Sequence, residues 1–184
     1  MSTAQLATTI PTGTWTIDAS HSSVGFSVRH MMVSKTRGRF SSFAGTIDVA
    51  DDPSASTAEV TIDVSSIDTR DAKRDDHLRS PDFFDASKHP QITFRSTALE
   101  PHGDDVFRLV GDLTVKGITR PVTLDVEVGG VAQDPWGGTR VGFTASGTLD
   151  RSDFGLEWNA ALETGGVLVG DKIKLDLDVE AVKS

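Results

Sequence analysis

Val122-Thr-Leu-Asp-Val-Glu-Val128 changes character at every step, with four aliphatic residues at even positions and three polar ones between them. Successive side chains of an extended chain point to opposite faces, so this stretch reads as a strand with one dry and one wet face. Working outward, Ile173-Lys-Leu-Asp-Leu-Asp-Val179 repeats the pattern, as do Val24, Phe26 and Val28 and then Val60, Ile62 and Val64. A parallel strand covered on both faces would be a continuous apolar run. The alternation therefore predicts an antiparallel sheet.

Such segments recur at roughly 14–33, 36–50, 57–66, 91–100, 105–116, 119–132, 138–151 and 171–183. Pro101-His-Gly-Asp104, Lys116-Gly117 and Asp134-Pro-Trp-Gly-Gly138 supply turn chemistry between them. Several strands exceed ten residues, which suits a twisted sheet closing on itself. One stretch departs from this rhythm. Between Ser66 and Phe94 the chain carries dense charge, helix formers and a Ser80-Pro81 stop, predicting a short helix and an ordered loop after the third strand. The expected fold is all-β: an eight-stranded antiparallel barrel with one helical insertion.

The chain has 184 residues and no cysteine, so disulfides, thiolate metal sites and a cysteine nucleophile are excluded. With 18 basic against 27 acidic side chains, the net charge of −9 opposes general nucleic-acid binding. Residues 1–13 have neither a basic start nor a long apolar run, and no segment is long enough to span a bilayer as a helix. The expectation is a flexible segment over 1–13, a single domain over 14–184 and a cytoplasmic location. Arg29, His30, Lys35, Arg37 and Arg39 depart from the acidic balance. They read either as a solvated hairpin tip or as a positive mouth for an anionic head group.

Trp15-Thr-Ile-Asp18, His21-Ser-Ser-Val-Gly-Phe-Ser-Val-Arg-His30, Arg37-Gly-Arg-Phe40 and Phe43-Ala-Gly45 resemble the opening of the YceI family of polyisoprenoid-binding proteins. Asp76-His-Leu-Arg-Ser80, Asp82-Phe-Phe-Asp85, Pro90-Gln-Ile-Thr-Phe94, Gly111-Asp-Leu-Thr114 and Arg151-Ser-Asp-Phe-Gly155 with Trp158 extend the resemblance over nearly the whole chain. The resemblance implies a lipocalin-like barrel with an apolar channel for an isoprenoid or similar lipid. Many family members carry an export signal, which is not seen here. Family analogy also makes a homodimer plausible, although no residue establishes one.

If the apolar faces point inward, the channel residues are Phe26, Val28, Phe40, Phe94, Phe107, Leu109, Leu113, Val122, Leu124 and Phe143, with Ile173. Each would equally serve as ordinary core. His30 continues the series Val24, Phe26, Val28 and is expected inward near a strand end, with Lys35, Arg37 and Arg39 as further head-group contacts. His21 lies nine positions before His30, an odd separation that would put the two on opposite faces of one unbroken strand and disfavours a shared metal. No compact metal-ligand spacing occurs, so no metal and no cofactor other than the lipid itself is expected.

In the insertion, Asp71 with Arg74 and Asp75 with Arg79 have the spacing of surface ion pairs. Phe83 and Phe84 are expected to plug one barrel end and leave the opposite mouth for entry. Asp153-Phe-Gly155 lacks the other parts of a kinase and is read as a turn after the seventh strand. No catalytic constellation is present. The expected function is non-enzymatic carriage or sequestration of a polyisoprenoid or quinone-like lipid. The alternatives are a lipid-processing enzyme acting on the head group and a filled-barrel stress or interaction protein.

Overall fold

The computed structural model describes residues 10–160, 162 and 168–184. Residues 1–9, most of the expected flexible segment, lie outside the described residues. Ile10 packs on an apolar cluster, and the Pro11 carbonyl accepts a hydrogen bond from Trp15 Nε1 at 3.0 Å.

The strands are β1 (Gly13–Ile17), β2 (Ser23–His30), β3 (Ser34–Phe40), β4 (Phe43–Val49), β5 (Thr57–Asp63), β6 (Ile67–Asp68), β7 (Gln91–Gly103), β8 (Val106–Val115), β9 (Ile118–Gln133), β10 (Thr139–Asp150) and β11 (Val169–Lys183). The single α-helix among the described residues, α1, is Ala72–Arg79. Three pairs are long strands in two pieces: β1 with β2, β3 with β4, and β5 with β6. Every pairing is antiparallel, and β11 pairs with β10 on one edge and with β1 and β2 on the other, so eight long strands close into a barrel. This is the expected architecture, and α1 follows the third long strand as the sequence predicted.

The first long strand is not continuous. The Asp18 side chain accepts from Ser20 N at 3.0 Å and holds a 3₁₀ turn, Ala19–His21, between β1 and β2. An aspartate bonding the backbone two residues on competes with the sheet ladder, and here it wins. The unbroken strand assumed for His21 and His30 is therefore corrected. His21 nonetheless lies outside the barrel, bonded through Nδ1 to Asp18 at 2.8 Å.

Glycines let inward rings lie flat against the wall. A Cβ at Gly38 would clash with the edge of Phe26, its cross-strand partner, and one at Gly111 with Phe94. At Gly142/Phe143 the β9–β10 register shifts by one residue, with Gly130 at φ 141° on the facing strand. Such a bulge adds curvature and helps a sheet to close.

Two apolar cores stack along the barrel. One end is filled by Trp15, Phe107, Val128, Val141 and Ala181, with Trp15 and Ala181 fully buried. The other core runs from Phe40, Phe94 and Val122 up to Phe83, Phe154 and Leu156 under the helical insertion.

Candidate ligand-binding cavity

Inside the barrel lies a cavity of about 330 Å³. It runs from Ile17, Ile47 and Phe143 near the filled end to Val28, Val169, Phe83 and Leu156 at the other. Eight-stranded barrels have room for packed side chains or for one small ligand, and this one divides its length between the two.

Of the sequence-predicted channel residues, Phe26, Val28, Phe40, Phe94, Leu109, Leu113, Val122, Leu124 and Phe143 all line the cavity, as does Ile173. Phe107 does not. It faces inward, but at the level of Trp15, where it belongs to the packed core. Alternation reports which face a side chain takes and is silent on its depth along the barrel axis.

His30, Lys35, Arg37 and Arg39 were grouped from sequence, and the structure separates them. Phe40 lines the cavity, so the odd-numbered Lys35, Arg37 and Arg39 of β3 fall on the outer face, where all three are exposed. Arg39 Nη2 stands 3.6 Å from Asp68. His30 follows Val28 on the inner row of β2 and is paired with Val169 and Ser34 beyond the last lining residue of that strand.

Among the described residues one ionisable residue lines the cavity, and sequence reasoning missed it. Arg151 is 5 % exposed, and its Nε donates to Gly170 O at 2.8 Å. Its Nη1 donates to Leu156 O at 2.6 Å and Trp158 O at 2.9 Å, and Nη2 to Val169 O at 3.3 Å. Burial pulls its pKa down from the ordinary guanidinium value, opposed by the Asp171 charge. Carbonyl dipoles stand in place of a direct carboxylate partner, clipping the segment after β10 to the start of β11. The turn expected at Asp153-Phe-Gly155 is present, with Gly155 at φ 72° ending a short 3₁₀ segment.

The helical insertion closes the cavity by polar anchoring. Asp71 caps α1 by accepting from Lys73 N and Arg74 N, both at 3.1 Å, and Arg74 Nε donates to Thr69 Oγ1 at 2.8 Å. Asp75 is buried and accepts from Thr69 N at 2.9 Å, while Arg79 pairs with Asp76 at 3.1 Å and donates to Ile67 O. The expected pairs Asp71–Arg74 and Asp75–Arg79 are thus corrected. Helix spacing brought them near one another, but the end of β6 offered backbone and hydroxyl partners that a short anchored helix uses instead. His77 bonds Asp82 at 2.8 Å and meets the rings of Phe83 and Trp158 edge-on, at 5.1 and 4.6 Å between centroids. Phe83 and Phe84 do cover this end. The opposite end, expected open, is blocked by the Trp15 cluster.

Asp18, His21 and Glu180 could together suggest a cation site. Arg140 occupies it, its Nη1 lying 2.8 Å from Asp18 and 2.9 Å from Glu180, with Nε 2.9 Å from Asp134. The guanidinium supplies the positive charge there and ties the β9–β10 turn to β11.

A family model described as YceI-like domain matches residues 15–181. A UPF0312 protein of Staphylococcus aureus is 41% identical over 172 residues, covering 90% of this chain and 95% of that protein. The crystal structure of BcnA from Burkholderia cenocepacia is 28% identical and superposes with a TM-score of 0.76, covering 89% of this chain and 98% of that one. A polyisoprenoid binding domain from Saccharophagus degradans has a TM-score of 0.72 at 16% identity, covering 95% of this chain and 100% of that chain, a likeness of fold. By the extent of the family match and the identity to its relatives, this chain belongs to the YceI family.

Proposed function

We propose that this protein binds one polyisoprenoid or quinone-like lipid tail in the barrel interior and carries or sequesters it without altering it. The observation that carries this reading is the cavity itself, about 330 Å³ deep inside a barrel whose opposite end is filled. Cavities of this size fall within the ~300–1,000 Å³ of small-molecule sites. An apolar tail entering such a space gains up to ~0.8 kcal/mol per buried methylene, offset by the ordering of a flexible chain. The fold shared with a polyisoprenoid binding domain supports the same cargo class.

The polar lining residues are Ser56, Thr57 and Arg151. A guanidinium is always protonated and cannot act as a base, and among the described residues no histidine, aspartate or glutamate lines the cavity. That inventory supports the reading of binding without turnover. Among the described residues, no helix is long and apolar enough to cross a membrane.

The test is native mass spectrometry of protein purified from its own host, with organic extraction of what is released. One isoprenoid or quinone per chain is expected, and its loss is expected in Ala145→Phe, which fills the cavity between Val126 and Leu177. A bare protein mass that persists after incubation with polyprenyl phosphates and quinones would sink the proposal.

A further inference from the structure

The hairpin between β2 and β3 carries three exposed apolar residues in a row: Met31 is 44% exposed, Met32 61% and Val33 81%. Met31 and Met32 also have left-handed backbones, φ 49° and 61°, within a turn closed by Val33 N donating to His30 O at 3.1 Å. Two consecutive positive φ values are the setting where Asn-Gly is favoured, because it carries them at least cost. Two methionines there cost turn stability and expose apolar surface at once. Neither property helps the fold, so the pair answers to something outside it.

The surroundings say what. Between Asp18 and Asp48 the chain has no carboxylate, although it carries 27 elsewhere, and Arg29, Lys35 and Arg37 flank the tip on the outer face. An apolar tip ringed by cations is complementary to an anionic lipid surface, into which apolar groups insert while lysines and arginines stay at head-group level. The chain as a whole is net acidic, which disfavours approach of its other faces to an anionic surface. The tip stands beside the cavity. Val28, which lines it, is three residues away, about 10 Å along an extended chain. Met31 N donates to Leu168 O at 2.8 Å, next to the lining residue Val169.

We propose that the Met31–Val33 tip, with Arg29, Lys35 and Arg37, is a docking surface for an anionic bilayer, where the barrel collects or delivers its cargo. The inference takes its purpose from the lipid-carrying reading, but its geometry stands without it.

The experiment is flotation of the full chain with vesicles of phosphatidylcholine alone or with about one third phosphatidylglycerol, at low and high salt. The protein is expected on anionic vesicles only, and to leave them as salt rises. The double variant Met31→Asn, Met32→Gly suits the turn, so it should unfold no earlier than wild type and bind anionic vesicles roughly tenfold more weakly. Its uptake of a soluble short-chain isoprenoid should be unchanged. Equal vesicle binding by the variant overturns the proposal. So does a wild-type protein that ignores both vesicle types, which would hand the tip to a protein partner or a second copy. Vesicle binding without isoprenoid uptake would instead sink the carrier reading and leave the docking surface standing.

Discussion

Phe26 lies across Gly38, its cross-strand partner, so closely that the ring edge occupies the place a Cβ would need. The glycine therefore sets how the wall of the cavity is shaped. Phe26 also packs on Phe40, 5.6 Å between centroids, and Phe40 on Phe84 of the closing loop at 6.1 Å.

Gly38→Ala is expected to push the Phe26 ring into the cavity. Overpacking of this kind costs about 1–3 kcal/mol, and capacity for a lipid tail should fall with it. Phe26→Leu added to Gly38→Ala should restore part of both. Urea unfolding and titration with an isoprenoid probe, run on the two singles and the double, measure the coupling.

Arg151→Met should destabilise the barrel by roughly 2–4 kcal/mol, because the carbonyls of Leu156, Trp158, Val169 and Gly170 lose their shared donor. Arg151→Lys keeps the charge but cannot reach four carbonyls with one ammonium, so it should fall between the two. Chemical denaturation of the three proteins gives the order.

The Asp18 carboxyl is held far below the usual carboxylate range, first by the Ser20 hydroxyl and then by Arg140 and His21, and Asp134 is also held low, chiefly by Arg140. A carboxylate with a depressed folded-state pKa stabilises the fold above its unfolded value of ~3.9, and that stability is lost as pH falls toward the folded value. The urea midpoint of wild type should therefore exceed that of Asp18→Asn by a constant margin from neutral pH down to about 5. The margin should shrink below about 4. A margin that persists undiminished into acid would show that the aspartate acts only as a hydrogen-bonding shape.

The strands were legible because a half-buried strand must alternate, and Val122 to Val128 or Ile173 to Val179 can satisfy only one arrangement. The same rule, applied to β3, would have placed Lys35, Arg37 and Arg39 outside, since Phe40 fixes the inner row. Proximity in sequence to His30 was the weaker guide. The break at Asp18 was also written locally, in an Asp-x-Ser pattern whose side chain caps its own backbone. Two features had no local signal. That Trp15 and Phe107 fill one end while Phe94 and Phe26 line a space depends on stagger around the barrel, which no single strand encodes. Arg151 is one charge among many until the chain folds four carbonyls around it.

The plug around Trp15 gives the chain a keel. Its packing is complete without the cavity, so the hollow half can change its lining residue by residue while the ballast below holds the barrel together.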